Sequence, residues 1–353
     1  MPDDDARPLL IYGANGYTGR LIAQQCVAEG IRPLLAGRDE AAVGALARTL
    51  GLRFRAFPLD DPAALQAGLR DVRVVLHCAG PFARTSRPMV DACLATGVHY
   101  LDVTGELAVF EAIAARDAEA RAAGVVLLPG TGFDVVPSDC LTAHLARRLP
   151  DANRLELAFE GLGGVSRGTA TTMIENLGRP GAIRRDGRIV SVPPAWRERE
   201  VDFGRGPRTV VSIPWGDVST AWHSTGIPNI VVYMTMPESQ RRALRWSRYV
   251  GWLLASGPVR RSLLQRVRRG PAGPSESVRR RGTSRFWGEA TAPDGRRVAA
   301  RLSGAEGYTL TAQTAVACAQ RVLAGGVQPG FQTPSRAFGA DFVLELGMAR
   351  EDL

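Results

Sequence analysis

Lysine is missing from this 353-residue chain, and all 44 basic residues are arginine. That excludes a Schiff-base lysine, the lysine of a P-loop and a Tyr-x-x-x-Lys catalytic pair. Histidine is scarce: the four residues, at 77, 99, 144 and 223, show no metal-ligand spacing, so no metal is expected. The five cysteines, at 26, 78, 93, 140 and 318, form no Cys-x-x-Cys pair and read as buried free thiols of a reducing compartment. Long apolar runs are also lacking. The stretch 249–259 is interrupted by glycine and proline and falls well short of the ~18 residues that a membrane span requires. The start, Met1-Pro2-Asp3-Asp4-Asp5, is acidic and unlike a secretory signal. A soluble, cytoplasmic protein is expected.

Hydrophobic residues make up 45% of the chain, enough for sizeable cores, and the length favours two domains. The net charge of +9 suits phosphates, acidic substrates or anionic lipid. No segment resembles a groove-reading helix or an RNA-stacking sheet, so nucleic acid is not an expected partner.

The N-terminal pattern is more specific. Leu9-Leu10-Ile11-Tyr12 reads as a strand buried on both faces, followed at once by Gly13-Ala14-Asn15-Gly16-Tyr17-Thr18-Gly19 and a helix over 20–29. Strand, glycine loop and helix in this order form the dinucleotide-binding context. Gly13 permits the tight turn, Gly16 lets backbone approach a pyrophosphate, and Gly19 lets the helix pack on the strand. The helix N-terminus then faces the phosphates. Asn15 and Thr18 belong to the same contact loop. A second strand, 33–36, ends in Gly37-Arg38, where a ribose is read. Arginine there can pair with a 2′-phosphate and stack on adenine, which favours NADP(H). The alternative is a solvated Arg38 with Asp39 reading the ribose, although Asp39 also suits the N-cap of a helix over 40–50.

Alternation continues with strands at 53–57, 72–77, 100–103 and 125–128, and helices at 62–69, 86–96 and 107–123. This predicts an α/β fold with a doubly wound parallel Rossmann sheet, whose ligands lie at the C-terminal strand ends. The loops there carry Cys78-Ala79-Gly80-Pro81-Phe82, expected to lie along a nicotinamide ribose, then Asp102 with Thr104-Gly105-Glu106, and then 129–139. In that last loop Asp134 sits in mid-loop. Ser138 is expected to cap a helix over 140–149, with Asp139 in its first turn. Asp102 has an equally good reading as a strand-end cap.

These five blocks together resemble the saccharopine dehydrogenase-like oxidoreductases, and most of all the bacterial members described as trans-acting enoyl reductases. The blocks are 13–19, Ala36-Gly37-Arg38, 78–82, 100–106 and 132–139. The second half matches through Gly168-Thr169, Thr171-Thr172-Met173 and 334–339. The resemblance implies an NAD(P)-binding fold and NADPH-dependent reduction of an enoyl or similar lipid-like or polyketide-derived substrate. No cluster of substrate-carboxylate arginines supports saccharopine itself. The alternatives are a reductase for an imine or amino acid, and a non-enzymatic NADP(H) sensor or scaffold. With lysine absent, the proton donors to consider are Tyr100, Asp102, Asp134, His77 or water, with Asp102 and Asp134 favoured.

The expected division is 1–135 and 136–353, with about 308–353 packing back on the first domain. The second domain reads as α+β with a mixed or antiparallel sheet. Its strands fall at 154–160, 189–192, 201–203, 209–213 and 230–236, with a hairpin of 284–292 and 297–303 and helices over 169–177 and 310–323. The segment 240–269 is a basic helix with interleaved aromatics, suited to a membrane interface, an acyl chain or a homodimer contact. Residues 268–281 read as a flexible loop.

Overall fold

The computed structural model describes residues 8–161, 164–254 and 256–353; the N-terminal Met1-Pro2-Asp3-Asp4-Asp5 lies outside them, as do the side chains of 247, 248 and 250–254. The chain divides into two compact units. One comprises Met1–Phe133 with Tyr308–Ala337, the other Asp134–Gly307 with Phe338–Leu353.

In the first unit, strands of three or four residues alternate with helices. The order is β1 (Leu9–Tyr12), α1 (Tyr17–Ala28), β2 (Leu34–Gly37), α2 (Glu40–Leu50), β3 (Phe54–Ala56), α3 (Pro62–Gly68), β4 (Val74–His77), α4 (Phe82–Thr96), β5 (His99–Asp102), α5 (Leu107–Ala114), α6 (Asp117–Ala122) and β6 (Val126–Leu128). The strands pair in parallel in the order β3-β2-β1-β4-β5-β6, the doubly wound arrangement, which reverses direction between β1 and β4. Short buried runs suit this fold because helices cover both faces of a parallel sheet. Tyr100, Leu10, Val75 and Leu127 lie in one continuous core. A seventh strand, Gly330–Phe331 (β15 in chain order), adds to the edge of β6. Its Phe331 amide donates to the Asp117 carboxylate at 2.7 Å.

The second unit begins with α7 (Val136–Arg148) and β7 (Arg154–Glu160), followed by α8 (Arg167–Glu175), β8 (Gly181–Arg185), β9 (Arg188–Val192), β10 (Glu198–Asp202), β11 (Pro207–Ser212), α9 (Asp217–Thr225) and β12 (Asn229–Thr235). Then come α10 (Glu238–Leu254), α11 (Gly257–Arg269), α12 (Glu276–Arg281), β13 (Thr283–Thr291) and β14 (Arg297–Ala305). The chain then returns to the first unit with α13 (Gly307–Ala324), β15 and most of α14 (Pro334–Phe338), and α15 (Phe342–Glu345) and β16 (Ala349–Asp352) follow in the second. The second sheet runs β10-β11-β12-β7-β13-β14-β16, with the β8–β9 hairpin attached to β12. It is mixed: β7 and β12 are parallel, the other pairs antiparallel. Gly288 of β13 lets α7 approach closely, because a Cβ there would stand 2.7 Å from Leu145.

Several expected boundaries are corrected. Helix α1 starts at Tyr17, inside the glycine motif, rather than at 20. Helix α4 starts at Phe82 rather than 86, because the Glu106 carboxylate receives its first amides. The helix expected over 107–123 is two, broken where Arg116 reaches both Glu119 and Asp91. Helix α7 starts at Val136, so Ser138 is no cap: its hydroxyl donates back to Val135 O at 3.1 Å. The stretch 240–269 is two helices, and the expected loop 268–281 holds α12, capped by Ser275.

Asp117 ties β15 to the sheet, so Asp117→Ala should cost about 0.5–1.5 kcal/mol. Hydrogen exchange at Phe331 and Gln332 should accelerate while β1 and β4 stay protected. Equal acceleration across the sheet would refute a local anchor.

Candidate functional site

The loops after β1 and β4 flank the point where the first sheet reverses, the crevice position in open α/β sheets. They touch. Gly13 has φ +80°, and a Cβ on it would stand 2.8 Å from Ala79 N. Glycine at 13 is therefore required twice, by conformation and by space. A Cβ on Gly19 would stand 2.4 Å from Gly13 O, so the first turn of α1 lies directly on the loop. Gly16 is exposed, and a Cβ on it would meet only Gly13 O, at 3.2 Å. No side chain caps α1 behind it. An uncapped helix start of this length fits an anionic phosphate group. The residues present thus fit a dinucleotide: a close loop, an open glycine and a helix N-terminus.

The other loop residues divide. Asn15, Thr18 and Tyr17 are half-buried, and Tyr17 meets Tyr308 edge-on at 5.0 Å. The Asn15 carboxamide lies against Gly37, where a Cβ would come within 3.3 Å of its oxygen. Ala14 is fully buried and contributes backbone only. At the end of β2, Arg38 is exposed and has no acidic partner among the described residues. Asp39 is engaged otherwise, accepting the Ala42 amide at 3.0 Å as the N-cap of α2.

After β4, Cys78, Ala79 and Pro81 are half-buried and Gly80 is exposed. Burial pushes the Cys78 thiol well up, so it is no nucleophile at neutral pH. Phe82 departs from its expected place in the loop. Its ring turns inward against His77 at 5.6 Å, and its amide donates to Glu106 at 2.8 Å. Glu106, which sequence reasoning did not single out as a site residue, thus joins the loop after β5 to the start of α4. The block ending at Glu106 was the available signal, but a cap contributed from 24 residues away is not readable from spacing.

Tyr100 and Asp102 are fully buried. Tyr100 donates to Asp102 Oδ2 at 2.7 Å, while Thr104 and Gly130 amides donate to Oδ1 at 3.0 and 2.8 Å. Burial raises the Asp102 carboxyl to about 6 despite these bonds, and raises the Tyr100 phenol well above its usual value. His77 is buried among aromatic rings with neither ring nitrogen hydrogen-bonded, and burial lowers it to about 3, so it stays neutral.

The second unit carries its own carboxylate group. Asp134 is half-buried, and its carbonyl accepts Trp215 Nε1 at 2.8 Å. The surrounding protein pushes its carboxyl up to about 7. In the first turn of α7, Asp139 is fully buried and accepts from Ser224 Oγ. Asp217, at the start of α9, is fully buried with neither oxygen hydrogen-bonded. Ser138 lies near it but is engaged with Val135 O. Burial pushes the Asp217 carboxyl well up, and the charges of Asp139 and Asp134 push it further. Asp217 had no sequence signal: its chemistry comes from burial.

A raised carboxyl holds a proton in the folded state that the unfolded chain releases above about 3.9. Folding is then weakened as pH rises through and beyond that value. Asp217→Asn removes this load, so the wild type should lose more thermal stability than the variant between pH 5 and pH 8. Each kcal/mol relieved corresponds to about 2–4 °C. Parallel melting curves at the two pH values would refute a protonated Asp217.

Comparison with known proteins agrees with this geometry. Residues 9–128 match the family model described as the saccharopine dehydrogenase NADP binding domain. A Mycobacterium tuberculosis protein named as a trans-acting enoyl reductase is 34% identical over 185 residues, 48% of this chain and 44% of that protein. The trans-acting enoyl reductase of Mycobacterium leprae is 34% identical over 164 residues, covering 44% of this chain and 39% of its own. The matched stretch therefore spans less than half the length of these relatives. Among solved structures, apo saccharopine dehydrogenase (L-Glu forming) from Saccharomyces cerevisiae aligns with TM-score 0.64 at 12% identity, covering 98% of this chain and 99% of that one. The homospermidine synthase of Legionella pneumophila, solved with NAD, aligns with TM-score 0.64 at 10% identity, covering 98% and 91%. At such identity the likeness is one of fold. Over residues 9–128 this chain thus resembles the saccharopine dehydrogenase NADP binding domain in both its motifs and its fold.

Proposed function

We propose that this protein is an NADPH-dependent reductase of an enoyl or similar acyl-type small molecule. The observation that carries the cofactor choice is Arg38, an exposed guanidinium without an acidic partner at the end of β2. Beside it, Asp39 has one carboxylate oxygen engaged in a helix cap. An unpaired arginine at this position favours a 2′-phosphate. The enoyl substrate class rests on the names of the mycobacterial relatives.

The backbone of Gly13 to Gly19 would hold the pyrophosphate, and the stretch Cys78 to Pro81 would line the nicotinamide ribose. The bound dinucleotide supplies the hydride. The chain must supply a proton. Asp134 has the chemistry for it: in this half-buried residue the carboxyl is raised to about 7, so near neutral pH both its protonated and ionised forms are populated. To Asp102 and Tyr100 we assign a positioning role. Their polar atoms are buried and bonded to one another and to Thr104 and Gly130, which fixes the loops after β5 and β6.

Arg38→Ala should weaken NADPH binding by about 1–3 kcal/mol and NADH binding much less, read by calorimetric titration. Equal losses for both would sink the 2′-phosphate assignment. With an enoyl substrate, Asp134→Asn should lower kcat by about 10²–10⁴ while leaving NADPH affinity intact. Wild-type kcat should be level below pH 7 and fall above it, since the donor must be protonated. A variant retaining full kcat would exclude Asp134. Tight NADPH binding with no turnover of enoyl, imine or ketone substrates would favour a cofactor-binding scaffold instead.

A further inference from the structure

The positive charge of this protein is concentrated in one place. From 239 to 275 there is no acidic residue, while arginines stand at 241, 242, 245, 248, 260, 261, 266, 268 and 269. The chain has 44 basic and 35 acidic residues, so without these nine arginines the remaining 35 match the acids one for one. The stretch 239–275, which holds most of α10 and all of α11, thus carries a charge equal to the whole net charge of +9.

The exposed faces of these helices are unusual for a protein surface. On α10, Arg242, Arg245, Trp246 and Tyr249 follow the i, i+3, i+4, i+7 spacing of one stripe and all are exposed. Trp246 is 68% and Tyr249 73% exposed, their rings 6.0 Å apart. Isolated exposed apolar residues are ordinary, but two adjacent aromatics left in water beside arginines are the composition of an interfacial helix. On α11, Leu263, Leu264 and Val267 are half-buried, and Arg260 donates to Leu177 O at 3.1 Å, which seats that side on the domain. The outward Arg261, Arg266, Arg268 and Arg269 are exposed and have no acidic partner among the described residues. Arg241, Arg242 and Arg245 do have partners, in Glu198 and Glu238. Two of those arginines are well exposed, and such surface pairs yield readily to a stronger anionic field.

We propose that α10 and α11 form a docking face for an anionic lipid bilayer, Trp246 and Tyr249 entering the headgroup layer and the α11 arginines facing acidic headgroups. The geometry suits a surface. No helix of the described chain is long and apolar enough to cross a membrane, so contact would be peripheral. Aromatics beside a field of arginines add apolar insertion to charge attraction, the two contributions that interfacial binding requires. Duplex nucleic acid would use the charge and leave the aromatic pair without a role.

The test is vesicle co-sedimentation of the full chain, with vesicles of phosphatidylcholine alone and of phosphatidylcholine mixed with phosphatidylglycerol. The wild type should bind only the anionic vesicles and release at high salt. Arg266→Glu/Arg268→Glu/Arg269→Glu should weaken binding at least about tenfold, since each arginine near such a surface contributes on the order of 1 kcal/mol. Trp246→Glu should weaken it separately. Unchanged melting temperature and unchanged NADPH affinity would show that these exposed changes leave the fold intact, and the docking face does not depend on the reductase reading. Absence of binding to anionic vesicles, or binding indifferent to both variants, would overturn the proposal. So would a wild-type dimer in light scattering that Trp246→Glu converts to monomer without vesicles present, or tighter binding to duplex DNA than to vesicles at equal salt.

Discussion

The first unit is organised around the contact between Gly13 and Ala79. With no room for a Cβ at Gly13, the loops after β1 and β4 come together where the sheet changes direction. That contact leaves Gly16 open and sets the start of α1 against the loop through Gly19. It also brings the small residues 78–81 alongside the glycine motif. The neighbouring loops are then fixed by a buried and a half-buried carboxylate: Asp102 gathers the amides of Thr104 and Gly130, and Glu106 gathers those of Phe82 and Ala83. Such burial is tolerated because the carboxylates are hydrogen-bonded. A rim made of backbone and hydrogen-bonded acids results, with Arg38, which has no acidic partner among the described residues, at the end of β2.

How much of this the sequence discloses depends on whether a residue's meaning is local. The glycine motif, the strands of the first sheet and the end of β2 at Arg38 are local, because short buried runs and required glycines announce themselves. The β13–β14 hairpin is local too, turning at Pro293-Asp294-Gly295. Elements whose buried face is polar do not announce themselves. Helix α9 buries Asp217, Ser219 and Thr220, which erases the apolar periodicity that would reveal it. Strand β8 hides Arg184, whose guanidinium donates to Val218 O at 2.8 Å and Gly187 O at 2.7 Å and lies over Trp222. Phe82 reads as a loop residue because the acid that starts its helix is distant in sequence. Asp217 is invisible as chemistry for the same reason: the value of a carboxyl depends on what surrounds it.

The absence of lysine shapes the second unit as well. Arg185 and Arg197 both lie over Trp196, and Arg199 lies over Trp287 while pairing with Glu156. A planar guanidinium can stack and hydrogen-bond at once, which a lysine ammonium cannot do. The same side chain therefore supplies stacked ties on the surface of the sheet and the exposed charge of α10 and α11.

The seventh strand of the first sheet has a consequence for how the chain is made. Strand β15 pairs with β6, yet it is encoded more than half a chain later. A nascent chain emerging from the ribosome can lay down β1 to β6 early, but the outer edge of β6 stays open until residues 330 and 331 have been made. An unpaired edge of buried apolar residues is a template for wrong partners. Premature termination anywhere before Gly330 would leave that edge bare.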